Sequence, residues 1–389
     1  MNQVSSVTKS AVTAASKLAI ADCDLHLGPA RFQDLYPWLS ERWRAHIDMF
    51  GANHRTGNFN GLPSYPKAQP AAARRDAWPP SGSPPGTDLA FTRSQHLDAH
   101  NVVLGVINPP TPSNAPLNPG LGNAIARAWN EWQLACLVHP EPRLRASVVV
   151  NYEDPVAAAA EIRHWAGNPG FAHVMMYGRT AMPMGSQQYF PIYQAAAEAG
   201  LPIGVHAFGF GGAPNTSSGW ASYYIEDMLG HAQSIQAQLT SMILNGVFAR
   251  LPSLRYVLIE GGFGWAPSLG WRLDKAWRRL KQETPELTQA PSEYLRQNVW
   301  YTTQPMEEPE ARDHVLDTIG WIGWDRILFA SDYPHWDFDL PSTIYDLPFL
   351  SDKAKHNSLG GNAARLFKLK PRNETQKANL IKYGNYTAG

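Results

Sequence analysis

Residues 19–26 read Ala-Ile-Ala-Asp-Cys-Asp-Leu-His, an apolar opening that runs into two acids, a thiol and a histidine. A short apolar run of this kind fits a strand buried on both faces, as in a parallel sheet. Asp24 and His26 stand two apart, so on a strand their side chains share a face. Seven more runs follow the same form, at 102–107, 146–150, 173–177, 202–205, 255–260, 299–303 and 327–331. Each ends in a polar residue, namely Asn108, Asn151, Tyr177, His206, Glu260, Gln304 and Asp332. Between them, 121–137, 155–165, 189–199, 235–244, 269–280, 309–319 and 353–367 carry apolar residues at helical spacing. Strands that alternate with helices in this way predict an α/β protein, a (β/α)8 TIM barrel. An open doubly wound sheet is the alternative. It would carry a glycine-rich phosphate turn after its first strand, and Asp-Leu-His-Leu-Gly-Pro at 24–29 is not one.

The connection after strand one is far longer than the rest. Residues 27–100 form an insertion, with a helix expected over 32–50 and a Pro/Gly/Ser-rich tract over 51–86. Loops of this length are commonly lids or binding loops. The expected organisation is an N-terminal arm over 1–18, a single barrel domain over 19–370 and a tail over 371–389.

Composition narrows the function classes. Lys+Arg and Asp+Glu are both 33 among 389 residues, so no basic excess exists to neutralise a phosphate backbone. That argues against nucleic acid as a partner. Two cysteines, Cys23 and Cys136, cannot staple a chain of this size. No apolar run reaches the ~18 residues of a membrane span. The first residues lack the apolar core of a signal peptide, so a cytoplasmic protein is expected. Tryptophan is abundant at 14 residues, which points to an aromatic-lined cavity or interface.

Catalytic groups of such barrels sit at the C-terminal ends of the strands. Asp24, His26, His206 and Asp332 are there, a nitrogen and oxygen set suited to a divalent cation. Zinc is the first expectation, with manganese and iron open. Glu260 is read as a further ligand or a general base on bound water, or else as an anchor for a neighbouring Arg or His. His231 lies ahead of the expected helix 235–244 and reads as a cap, a core residue or a site residue. His335 lines the mouth, binds a second ion or braces its loop, while Asp337 reads as structural. Trp265, Trp220, Tyr177 and Trp336 are candidates for an aromatic substrate pocket.

Four stretches carry a family likeness: DCDLH at 22–26, GVH at 204–206, VLIEGGFGWAP at 257–267 and FASDYPHWDFD at 329–339, with NAARLF at 362–367 in support. In this order the chain resembles the amidohydrolase superfamily, in the branch of aminocarboxymuconate-semialdehyde decarboxylase and γ-resorcylate decarboxylase. The resemblance implies metal ligation by Asp24, His26, His206 and Asp332, with Asp332 also moving a proton. It implies an arginine, matched loosely by Arg272, that reaches the substrate of a neighbouring subunit. The plainer reading of Arg272 is a helix salt bridge beside Asp274 and Lys275. The departure lies at strand six, where those decarboxylases place an acid/base histidine and this chain has Glu260 before Gly261 and Gly262.

The first functional expectation is therefore a metal-dependent hydrolase of a small aromatic or cyclic substrate. Asp332, Glu260 and His206 are its catalytic candidates, and Arg272, Trp265, Tyr177, His335 and Trp336 its substrate contacts. The alternatives are a non-oxidative decarboxylase of an aromatic or unsaturated acid, and a dinuclear iron oxygenase using Asp22, Asp24, His26, His206, Glu260, Asp332 and His335. A barrel that only binds is disfavoured by the retained ligand set. The partners expected are a small molecule and a second copy of the chain in a homodimer or larger homo-oligomer.

Overall fold

The computed structural model describes residues 18–52, 70–109, 118–209, 214–368 and 374. Most of the expected arm 1–18 and tail 371–389, and the middle of the tract 51–86, lie outside the described residues. Eight parallel strands follow one another around one sheet in sequence order. They are β1 (Ile20–Leu25), β2 (Val102–Ile107), β3 (Leu144–Val149), β4 (Phe171–Arg179), β5 (Ile203–Gly209), β6 (Tyr256–Ile259), β7 (Val299–Thr302) and β8 (Ile327–Leu328). The seam between the last and first strands is bridged by backbone bonds. Cys23 N–H donates to the Phe329 carbonyl at 2.9 Å, and His26 N–H to the Tyr333 carbonyl at 2.8 Å. The fold is a nearly closed (β/α)8 barrel, as the run pattern predicts.

The boundaries differ where backbone chemistry overrides the apolar pattern. β4 continues two residues past the expected 173–177, because the ladder passes through Gly178 to Arg179. Tyr177 pairs with His206 and Arg179 with Gly209, so β5 carries one extra residue against β4. That bulge falls at Phe208, whose φ is +75°. β6 stops at Ile259 because Glu260 has φ +57°, and an L-residue in that region cannot extend a strand. β8 is shorter than expected because Phe329 N–H turns away to the Ser358 carbonyl at 2.9 Å.

The helices differ in the same manner. The expected helix 32–50 is broken into a 3-10 turn, Phe32–Trp38, and an α-helix, Glu41–Phe50. Pro37 closes the first, and the extended Leu39 and Ser40 stand between them. The expected 235–244 begins eleven residues early, as Tyr224–Leu244, because Glu226 accepts from Ser222 and Tyr223 N–H and caps the earlier start. His231 therefore lies inside this helix, not ahead of it. The last expected helix, 353–367, is split into Asp352–His356, a π turn Asn357–Gly361 and Asn362–Leu366.

Strand residues such as Val148, Val174 and Val205 join helix residues such as Ile162, Ile192 and Leu239 in one buried core. That packing pins the strand ends in place. The described part of the insertion covers the mouth. Ala73 pairs with His335, Arg74 N–H donates to the Pro334 carbonyl at 3.0 Å, and Trp336 N–H to the Ala72 carbonyl at 2.7 Å. Among the described residues no helix is long and apolar enough to cross a membrane.

Candidate metal centre

β1, β5, β6 and β8 deliver their terminal side chains to one point. Asp24 and His26 arrive from the end of β1, both buried. His206 arrives from β5. Glu260 and Asp332 each sit past the end of a strand with positive φ, +57° and +63°, and this turn aims both carboxylates into the mouth. His26 Nε2 lies 2.9 Å from Asp332 Oδ1 and 3.3 Å from Asp24 Oδ1. His206 Nε2 lies 3.4 Å from Asp24 Oδ2 and 3.3 Å from Glu260 Oε2. The two Nε2 atoms are themselves 3.2 Å apart.

The ring orientations are set from behind. His26 Nδ1 donates to the Asn108 carbonyl at 2.8 Å, and His206 Nδ1 to the Ala207 carbonyl at 2.7 Å. With the proton on Nδ1, each neutral ring turns an Nε2 lone pair toward the other, the tautomer a metal ligand needs. Two lone pairs at this distance repel unless a proton or a cation lies between them. Asp24 Oδ2 and Glu260 Oε2, both buried, have no hydrogen-bond partner. Nitrogen pairs and orphaned carboxylate oxygens of this kind fit a divalent cation.

Without a cation, a proton on His26 balances the cluster instead. Burial would raise the Asp24 carboxyl, but His26 and His206 hold it well below the usual carboxylate range. Burial would lower His26, yet Asp24 and Asp332 push it well above the usual histidine range. Asp332 is likewise raised by burial and drawn below its ordinary value by His335 and His26. Burial, then Asp332, Asp337 and Asp24, push Glu260 well above the ordinary range. A cation among these atoms would displace protons, which is how metal binding couples to acidity.

Three overlapping donor groups lie within ligating reach: Asp24, His26 and His206; His26, Asp332 and His335; Glu260, Asp332 and Asp337. Asp337, expected to be structural, thus belongs with the site carboxylates, and burial and Asp332 push it up to about 6. His335 stacks on His26 at 4.3 Å and holds Asp332 Oδ1 through Nδ1 at 2.7 Å. Asp22, counted among dinuclear ligands from the sequence, is engaged elsewhere. It takes His96 Nε2 at 2.7 Å, Ser331 Oγ at 2.6 Å and Ser331 N–H at 2.9 Å, and so ties β1 to the β8 loop.

The expected substrate contacts divide. The Tyr177 ring faces His206 at 5.9 Å with its hydroxyl donating to the Pro109 carbonyl, so it walls the site. Trp265 Nε1 donates to the Gly261 carbonyl at 2.9 Å and its ring meets Tyr301, so it braces the turn after Glu260. Trp336 is partly exposed at the rim against Tyr224. Trp220 is partly exposed and lines a cavity of about 270 Å³ with Asn215 and Asp227. Arg272 is exposed on the helix Ala266–Arg279. Its expected partner Asp274 takes Ser292 N–H and Oγ at 2.9 and 2.8 Å instead. His231 is buried, with its Nε2 lacking a partner and Phe208 4.3 Å away. Sequence reading passed over Arg179, a buried cation at the end of β4. Its signal was a charged residue two past Tyr177, hidden by the glycine between them.

Comparison with known proteins gives a consistent result. A γ-resorcylate decarboxylase of Polaromonas sp. strain JS666 is 23% identical over 292 residues, covering 72% of this chain and 88% of that relative. The crystal structure of 5-carboxyvanillate decarboxylase from Sphingomonas paucimobilis superposes with a TM-score of 0.68 at 23% identity, over 91% of this chain and 100% of that one. A dihydroxybenzoic acid decarboxylase from Polaromonas sp. JS666, crystallised with bound manganese and the inhibitor 2-nitroresorcinol, gives 0.62 at 18% identity over 92% and 99%. The amidohydrolase family model matches residues 21–369. With that match running from β1 to beyond β8, the chain belongs to the amidohydrolase family.

Proposed function

We propose that this enzyme is a divalent-metal-dependent, non-oxidative decarboxylase of an aromatic or unsaturated carboxylic acid. The observation that carries the reading is the paired His26 and His206 Nε2 atoms facing partnerless carboxylate oxygens, in a chain whose relatives are decarboxylases. Hydrolysis, the first expectation from sequence, ranks second because those relatives break a carbon–carboxyl bond. Asp24, His26, His206, Glu260 and Asp332 would hold the metal. Manganese fits this oxygen-rich set better than zinc, and a relative's crystal contains it. Bound there, the metal supplies a Lewis-acid anchor for the substrate's carboxylate and a neighbouring oxygen.

The residues do the remainder. The bridge from Ala73 of the insertion to His335 covers the mouth and limits water access, and Tyr177 and Phe208 give the ring an apolar seat. The Asp332–His335 pair holds a proton at Asp332 Oδ1 or His335 Nδ1. That proton moves to the ring carbon bearing the carboxylate. The bond to the carboxyl carbon then breaks, its electron pair returns to the ring, and CO2 leaves. Solvent reprotonates the pair.

The test is anaerobic incubation of manganese-loaded protein with 2,6-dihydroxybenzoate in heavy water. Stoichiometric CO2 and one deuterium at the vacated carbon are expected. Asp332→Asn that still holds metal is expected to lose about 10²–10⁴-fold in rate. Acyl cleavage without CO2 would overturn the reading in favour of hydrolysis. A third reading, a dinuclear oxygenase, draws on the extra donor group Glu260, Asp332 and Asp337. Turnover that requires O2 and two metal equivalents would establish it. Self-association belongs to the same proposal, and a monomer mass by light scattering at micromolar concentration would remove it.

A further inference from the structure

Asp332 holds φ +63°, a conformation that a side-chain-bearing residue keeps only where its surroundings over-determine it. The restraint comes from both of its neighbours in the chain. Ser331 donates its N–H and Oγ to Asp22 at 2.9 and 2.6 Å, and its Oγ accepts the Tyr333 N–H at 3.1 Å. Asp22 also accepts the Asp24 N–H at 3.2 Å, so one buried carboxylate holds the backbone on both the β1 and the β8 side of the cluster. Its remaining bond comes from His96 Nε2 at 2.7 Å. The His96 ring also stacks on Tyr333, with 4.7 Å between centroids and 16° between planes. His96 is fully buried and its Nδ1 has no partner, so the ring acts as a donor through Nε2 alone. It sits on a π turn, Arg93–Asp98, a form that helices often carry at functional positions. Arg93 Nε on Glu141 Oε2 at 2.8 Å and Arg143 Nη1 on Asp98 Oδ1 at 2.7 Å pin the two ends of that turn. Between them Gln95 Oε1 accepts the Tyr333 hydroxyl at 2.8 Å.

We propose that His96 is a positioning residue: its hydrogen bond to Asp22 fixes Ser331, and with it the strained turn that aims the Asp332 carboxylate at His26 and His335. His96 bonds to none of the proposed ligands, so its effect travels through Asp22 and Ser331. The inference rests on the decarboxylase reading for the part Asp332 plays in the chemistry, while the positioning is a matter of geometry and metal binding. The competing role is that of a plain brace between the insertion and the barrel. A brace adds stability and leaves the cluster as it is. Two substitutions separate the roles. His96→Phe keeps a ring against Tyr333 and removes the donor, which leaves Asp22 Oδ2 with Ser331 Oγ alone. His96→Gln keeps an N–H donor near the place of Nε2 and gives up the ring.

The experiment is calorimetric Mn²⁺ titration and thermal unfolding of the full chain, unaltered and in both variants, with kcat and KM for 2,6-dihydroxybenzoate. His96→Phe should weaken Mn²⁺ binding about 10–100-fold, and His96→Gln should restore it to within about fivefold of the unaltered protein. In manganese-saturated His96→Phe the loss should fall on kcat, about tenfold or more, with KM within about twofold. A crystal structure of that variant should show Asp332 out of the positive-φ region and out of hydrogen-bond reach of His26. Affinity and kcat within about twofold of the unaltered protein in His96→Phe, whatever the melting temperature, leave only the brace and overturn the proposal. Equal losses in the two variants also overturn it, because the donor would then not be the cause. Should His96→Phe fail to fold, Ser331→Ala breaks the same path one bond further on, and an unchanged Mn²⁺ affinity there overturns it equally. The two readings separate. No CO2 from any form, with the affinity pattern intact, removes the decarboxylase and keeps the positioning residue, whereas CO2 release with His96→Phe unimpaired removes only the positioning residue. Where the unaltered protein takes up no Mn²⁺, the metal site falls, and the Asp332 geometry in the variant's crystal structure decides the positioning alone.

Discussion

Asn108 lies behind the proposed metal ligands, so Asn108→Ala tests whether the cluster is oriented from outside. Its Nδ2 donates to Asp24 Oδ1 at 2.8 Å and to the Cys23 carbonyl at 3.1 Å, fully buried. Its backbone bonds, the carbonyl to His26 Nδ1 and the N–H to the Leu25 carbonyl, survive in alanine. The variant therefore keeps His26 in place and frees only Asp24. A buried bond to a charged acceptor contributes about 1.5–3 kcal/mol and the bond to the carbonyl about 1 kcal/mol. The metal-free protein should lose about 2–4 kcal/mol in urea unfolding. The Asp24 carboxylate, no longer fixed with Oδ2 toward His206, should let the Mn²⁺ dissociation constant rise about 10–100-fold by calorimetry. Asn108→Asp keeps the volume but sets a second carboxylate against Asp24, and should be at least as harmful. Manganese affinity within about twofold of the unaltered protein in both variants would refute the idea that Asn108 orients the ligand.

Gly86 has φ +74°, and a Cβ there would lie 2.3 Å from the His26 carbonyl oxygen, so Gly86→Ala should lose more than about 2 kcal/mol and weaken metal binding. An unchanged melting curve would show that the insertion does not bear on β1. Glu141 is raised by burial, but bonds from Arg143 and Arg93 hold it down to about 2 against an ordinary 4.5. A depressed carboxyl stabilises the fold above its unfolded value and loses that contribution as pH falls through its folded one. Glu141→Gln should thus remove about 1–2 kcal/mol at pH 7, and the deficit should vanish as pH drops from 4.5 toward 2. A deficit that stays constant down to pH 2 would contradict the linkage.

The cluster of candidate ligands was readable because its members combine a chemical type with a position. A histidine or acid that closes an apolar run is at a barrel's working face whatever the loops do. The supports were not readable, because each depends on long-range placement. His96 and Asp22 meet 74 residues apart in sequence. Asp337 lies five residues beyond Asp332, in a loop whose path follows its pairing with the insertion. Arg179 was hidden by Gly178, since glycine reads as the end of a strand while the ladder in fact continues. His231 was misplaced because His231, Gln233 and Ser234 interrupt the apolar period of a helix that starts at Tyr224. Arg272 matched a pattern from the family, but its position on an outer helix gives it no contact with this chain's own cluster.

Glu260 is where the chain leaves its family's pattern, and its geometry argues for function over stability. It adopts φ +57° directly after β6, a conformation that costs a side-chain-bearing residue about 1–2 kcal/mol. It is buried among Asp332, Asp337 and Asp24, which with burial hold its carboxyl well above the ordinary value. A carboxyl raised by the fold destabilises it at any pH above its unfolded value, and that penalty grows as pH climbs toward the folded one. The bond from Glu260 N–H to Thr302 Oγ1 and the nearby His26 oppose the strain and the crowding only in part, whereas a divalent cation would offset the crowding by its charge. Glu260→Gln removes the charge and keeps the shape. The two readouts should then move in opposite directions. The metal-free protein should melt higher at pH 7 and unchanged at pH 4, while Mn²⁺ should bind more than about tenfold weaker. A structural glutamate would give a lower melting temperature with unaltered affinity. Paired loss of both stability and affinity would mean that Glu260 anchors a neighbour rather than the ion.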